Sequence, residues 1–152
     1  MRAVLIGLGM VAETHLAAVK DAQGVALAGV MGRNPEKART FAAKAGSRLG
    51  YPVRIFETVH QVVEADGIDF AIVATPPDAR LDIVRDLAAR KIPILMEKPL
   101  ERSFAAAREI TELCEGSGQP CGVFFQNRTR KASVAFKQAV DDGLLGDIVM
   151  SE

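Results

Sequence analysis

Short, nearly continuous apolar runs recur along this chain. Between them lie longer segments in which apolar side chains return every three or four residues. The first pattern predicts strands buried on both faces, as in parallel sheets, and the second predicts helices with one inward face. Arg2 to Ile6 opens as a strand, and Met10 to Lys20 follows as a helix with Leu16 and Val19 turned inward. Val25 to Met31 is a second strand. Pro35 then begins a helix at the position where proline is favoured, and that helix runs through Phe41 to Ala45. Pro52 to Phe56 reads as a short strand and Val59 to Ala65 as a short helix. Asp69 to Ala74, D-F-A-I-V-A, has the composition of a fully buried strand. Asp78 to Arg90 is amphipathic, with Leu81, Val84, Leu87 and Ala88 at helical spacing, and Asp78 is placed to cap a helix beginning at Ala79. Ile92 to Met96, Ser103 to Glu115 and Cys121 to Phe125 complete the series as strand, helix and strand.

Six strands with helices between them predict an α/β fold. It is a Rossmann-type, doubly wound, mainly parallel six-stranded sheet with right-handed crossovers. After Phe125 the pattern changes. Gln126 to Lys131 is polar and basic, Val134 to Val140 is helical, and Gly143 to Met150 reads as a turn and the first residues of a new strand. The expected organisation is therefore one domain over residues 1–126. Residues 127–152 are then a connecting helix and the truncated start of a second domain.

The first strand feeds Gly7-Leu8-Gly9-Met10-Val11-Ala12, a G-x-G-x-x-A turn opening a helix. In a doubly wound sheet this arrangement holds a dinucleotide pyrophosphate: Gly7 allows the tight turn, Gly9 lets the backbone approach, and Ala12 allows close packing of helix on strand. The anion would rest on backbone N–H groups at the positive end of the helix dipole, around Met10 and Val11.

Composition narrows the alternatives. Across 152 residues, 19 Lys and Arg balance 19 Asp and Glu. That balance leaves no basic footprint for nucleic acid or an anionic membrane. Hydrophobic residues make up 49% of the chain, enough for a real core, yet no stretch is long and apolar enough to span a bilayer. Gly7, Gly9, Glu13 and His15 interrupt the apolar run after Arg2 and no small-residue cleavage site follows, which argues against a secretory signal. Cys114 and Cys121 have neither a metal-ligand spacing nor the numbers for a disulfide framework. They read as free thiols of a reducing, cytoplasmic compartment.

Three segments fall at the carboxyl ends of strands, where such sheets carry their chemistry: Gly7 to Met10, Ala74-Thr75-Pro76-Pro77-Asp78, and Glu97-Lys98-Pro99-Leu100. With R-N-P-E-K-A after the second strand and D-D-G-L-L-G-D-I near the end, they resemble the N-terminal half of the Gfo/Idh/MocA oxidoreductases almost end to end. The resemblance implies that Lys98 lies beside the nicotinamide and the reacting hydroxyl, as acid, base or alkoxide stabiliser. It also implies that the Lys98–Pro99 bond is often cis, that Ala74, Thr75 and Pro76 line the ribose and pyrophosphate side, and that Glu97 contacts the nicotinamide ribose. The bland readings stand beside these: Lys98 as a solvated strand end, and Thr75-Pro76 as a simple turn.

At the end of the second strand an NAD-specific fold usually carries an acid, roughly 20 residues past the glycines, for the ribose 2′-hydroxyl. Here that position is Gly32, followed by Arg33 and Asn34. With no carboxylate to repel it and a fork-shaped donor at Arg33, a 2′-phosphate fits, so NADP is preferred over NAD; stacking of Arg33 on adenine is the alternative. His15 reads as structural and His60 as a surface residue. Arg80 stands where the family often has histidine and has no assigned role. Gln126, Asn127 and Arg128 are equally nicotinamide-edge or interdomain residues.

The activity implied is hydride transfer between nicotinamide and a sugar, polyol or related hydroxy compound. The family's remaining catalytic partners and its oligomer-forming sheet belong to a second domain, so this chain alone is expected to bind cofactor without turnover and the parent to be a homo-oligomer. A dinucleotide-sensing module without catalysis is the alternative. A methyltransferase, which also begins with a glycine-rich turn, would carry an acid where Gly32 stands.

Overall fold

The computed structural model describes residues 1–149. Strands β1 (Arg2–Ile6), β2 (Ala26–Met31), β3 (Arg54–Phe56), β4 (Phe70–Val73), β5 (Ile94–Glu97) and β6 (Cys121–Phe124) form one sheet in the order β3-β2-β1-β4-β5-β6. Every pairing is parallel. The strand order reverses between β1 and β4, and a ligand crevice opens at such a switch point, outside the carboxyl ends of the strands.

Helices α1 (Ala12–Asp21), α2 (Pro35–Leu49), α3 (Val59–Val63), α4 (Leu81–Ala89) and α5 (Phe104–Ser117) cover the sheet. Alternating side chains of β1 serve two cores, since successive strand residues point to opposite faces. Ala3 and Leu5 pack with Leu16, Val30 and Phe41; Val4 and Ile6 pack with Val84, Leu87 and Ile110. All of β1 from Ala3 onward is buried, which is why its sequence reads as a continuous apolar run. Side-chain caps set several helix starts: Asn34 Oδ1 accepts the Lys37 N–H at 3.0 Å, and Ser103 Oγ accepts that of Ala106 at 3.2 Å. Helix α2 continues past the expected Ala45 to Leu49 and ends at Gly50, whose left-handed φ of 80° closes it.

Two local expectations are corrected. Asp78 does not cap a helix starting at Ala79. Pro77–Ala79 form a short 3₁₀ turn, α4 begins at Leu81, and the exposed Asp78 carboxylate faces Arg102 at 3.7 Å. Adjacent prolines fix the backbone there before an α-helical turn can start. After β6, a 3₁₀ turn (Gln126–Thr129) leads into α6 (Lys131–Asp141), which buries no residue. Gly143 to Val149 form turns and an irregular stretch and no strand, and the remainder of that expected strand lies outside the described residues.

Cys114 is buried, and both cysteines are free thiols. Desolvation beside the Cys114 thiol pushes Cys121 up to about 12, so it stays protonated. No helix among the described residues is long and apolar enough to cross a membrane, and no cluster of His, Cys, Asp and Glu there could hold a metal ion.

Candidate functional site

The turn after β1 is tied down on both sides. The Gly7 N–H donates to Met31 O at 2.8 Å, and the Ala74 N–H donates to Ile6 O at 2.7 Å. Gly7 has a φ of 100°, and a Cβ there would lie 2.6 Å from Ala74 C and Thr75 N. A Cβ on Gly9 would meet no atom within 4 Å. The first glycine is thus demanded by the fold, and the second leaves open space. The N–H groups of Gly9, Met10 and Val11 meet no acceptor among the described residues. They stand at the start of α1, where Val11 occupies the N-cap position.

A cleft of about 460 Å³ lies outside this turn. Its inner wall is Gly7, Gly9, Ala74, Thr75 and Pro76, and its far end is Gly32, Arg33, Asn34 and Lys37. Met10 and Val11 sit on the turn but not on the cleft wall, Met10 being fully exposed. The Thr75 hydroxyl is buried with no hydrogen-bond partner among the described residues. Asn34 lines the cleft while its side chain caps α2. Lys37, to which no sequence motif assigns a role, lines the same end of the cleft as Arg33. It sits within the first turn of α2 (Pro35–Leu49), whose start the Asn34 side chain caps through the Lys37 N–H.

Strand β5 delivers Glu97 and Lys98 next to the β4 loop, outside the wall of this cleft. The Lys98–Pro99 bond is cis. Lys98 is exposed and forms no ion pair among the described residues. The Glu97 carboxylate points instead toward α1. Its Oε1 accepts from His15 Nε2 at 3.0 Å, and its Oε2 accepts the Lys98 N–H at 3.2 Å. His15 is 6% exposed and lies against Phe124, with ring centroids 4.9 Å apart. His60, by contrast, is exposed.

Burial lowers the His15 pKa below its usual 6.5, and the Glu97 charge opposes that shift only in part. The neutral ring is thus favoured in the folded state. Its stabilising contribution is complete above pH 6.5 and is lost as pH falls below that value, because the unfolded chain then binds the proton more readily. His15→Gln should therefore flatten the decline in melting temperature between about pH 7 and 5. An equally steep decline in the variant would remove His15 as its source.

Arg80 is 2% exposed and forms no ion pair among the described residues. Its guanidinium instead donates to backbone carbonyls of both site loops. Nε and Nη2 reach Thr75 O at 3.1 and 2.8 Å. Nη1 reaches Glu97 O at 2.5 Å and Leu100 O at 3.1 Å, and also contacts Pro99 O. Burial lowers its pKa, with Glu101 and Glu97 opposing. No local signal at position 80 marks this role, because the acceptors are five to twenty residues away.

Residues 1–125 match a protein-family model, Gfo/Idh/MocA, described as an oxidoreductase family with an NAD-binding Rossmann fold. The chain is 28% identical to the rhizopine catabolism protein MocA of Rhizobium meliloti over 96% of its own length and 44% of that protein. It is 29% identical to scyllo-inositol 2-dehydrogenase (NAD(+)) of Bacillus subtilis, over 96% of its length and 42% of that enzyme. A crystal structure of an oxidoreductase from Agrobacterium radiobacter with NAD+, L-tartaric acid and magnesium superposes with a TM-score of 0.84 at 26% identity, covering 97% of this chain and 42% of that one. The chain spans less than half the length of these relatives.

Proposed function

The chain belongs to the Gfo/Idh/MocA oxidoreductases, and from that premise we propose that it is the nicotinamide-dinucleotide-binding part of a longer dehydrogenase acting on a sugar, polyol or related hydroxy compound. The observation that carries this reading is the cleft at the switch point of the sheet, walled by the loops after β1 and β4, with the β5 loop tied to the β4 loop through Arg80. The site's own features suit a dinucleotide. Space is open over Gly9, and among the described residues the N–H groups of Gly9, Met10 and Val11 have no acceptor and the buried Thr75 hydroxyl has no partner. Gly7 to Val11 would hold the pyrophosphate, and Ala74 to Pro76 the adjoining ribose.

The nicotinamide, when bound, supplies the hydride acceptor or donor at its C4. Lys98 takes the hydroxyl proton as a carbinol is oxidised and returns it in the reverse direction. Glu97, bonded to His15 and to the Lys98 amide, holds the strand end that presents Lys98. Residues 127–152 lead into the domain that holds the substrate and forms the parent oligomer.

Arg33, together with Lys37, places two cations at the far end of the cleft, and no acid lines it among the described residues, which favours NADP over NAD. Titration of the chain with NADPH and NADH tests this. NADPH should bind more tightly, and Arg33→Ala should weaken it selectively, by roughly tenfold or more, since a hydrogen bond to a charged group contributes about 1.5–3 kcal/mol. Equal losses for both cofactors would assign Arg33 to adenine stacking, and failure to bind either would remove the proposed function itself.

A further inference from the structure

A buried guanidinium needs compensation, because desolvating a charge is costly unless it is paired or hydrogen-bonded. Arg80 forms no carboxylate pair among the described residues, and its hydrogen-bond acceptors are all carbonyl oxygens of the two loops at the site. Two of those carbonyls, Glu97 O and Pro99 O, belong to the residues immediately before and after Lys98. A third, Thr75 O, belongs to the cleft wall after β4. The planar fork of arginine meets carbonyls from two directions at fixed spacing, which the single nitrogen of lysine cannot do.

We propose that Arg80 is a positioning residue that holds Lys98 in register with the β4 loop by fixing the backbone on both sides of it. This inference rests on the reading of Lys98 as the proton-carrying group. Without the guanidinium, the two loops lose their shared donor. The Lys98 N–H bond to Glu97 Oε2 and the pairing of Glu97 with Phe124 remain, but neither ties Lys98 to the β4 loop.

The test uses Arg80→Lys, with Arg80→Met as a second variant. The lysines of the 152-residue chain are ¹³C-methylated, and Lys98 is assigned by the signal missing from Lys98→Met. The Lys98 signal should be single in the natural chain and shifted or split in both Arg80 variants. Turnover of the parent enzyme should fall on the order of 10²-fold for a displacement of about 1 Å. In a Lys98→Met background, Arg80→Lys should cost less than about twofold further, because a residue acting through Lys98 has nothing left to position. An unchanged Lys98 signal in Arg80→Lys, or an undiminished loss in the Lys98→Met background, would overturn the proposal. Should Arg80→Met not fold, Arg80→Lys carries both readouts. If Lys98→Met were itself fully active, the acid–base reading would fail, while the Lys98 signal would still decide whether Arg80 places this residue.

Discussion

Lys98→Met is expected to lower the parent enzyme's turnover by about 10²–10⁴-fold, the usual contribution of a positioned acid–base group. The same change should leave the melting temperature and cofactor affinity nearly unaltered. Lys98 is exposed and forms no ion pair among the described residues. Surface substitutions of that kind usually fall within about 0.5 kcal/mol. A polyol panel followed by NADPH absorbance gives turnover, and thermal melts with cofactor titration give the two controls. Full activity of Lys98→Met would reduce this residue to a solvated strand end. The 152-residue chain alone should show no dehydrogenase activity, and a substantial rate from it would contradict the need for a further domain.

Gly7→Ala should act on the fold instead. At a φ of 100° a Cβ would stand 2.6 Å from Ala74 C and Thr75 N, which are backbone atoms that cannot turn aside as a side chain could. An unfavourable backbone region costs of order 1–3 kcal/mol, and overpacking adds about 1–3 more. Their sum is a large part of a total stability of about 5–15 kcal/mol. The melting temperature should fall by about 10 °C or more. The natural control is Gly9→Ala, where the added methyl meets no atom within 4 Å. That variant should melt within about 2 °C of the natural chain, yet bind NADH and NADPH tenfold or more weakly, a loss of about 1.4 kcal/mol, because the methyl occupies the cradle. Equal stability losses at both glycines would mean that the Gly9 turn is also packed against protein; undiminished binding by Gly9→Ala would move the pyrophosphate elsewhere.

The order of strands and helices was legible in the residues because burial leaves a local mark. Strands covered on both faces, such as Val4 to Ile6 and Ala71 to Val73, read as unbroken apolar runs, and helices with one covered face read at helical spacing. The same holds for the glycine turn, since a demand on φ is met by the residue that makes it. The motif at the end of β2 brings Arg33 to the cleft, while Lys98 at the end of β5 lies outside its wall. Other features depend on distant strands becoming neighbours. Asp78 reads locally as a cap, but the two preceding prolines and the nearby Arg102 govern its setting. His15 meets Glu97 across 82 positions, and Lys37 joins Arg33 only at a shared cleft end. Arg80 shows the division most clearly. As a charged residue ahead of an amphipathic helix it has the chemistry of a surface position, yet it is buried because β4 and β5 lie side by side and their loops turn carbonyls toward one point. A sequence pattern records which face of its own backbone meets solvent, whereas the partners of a buried polar group are set by the order of strands in the sheet.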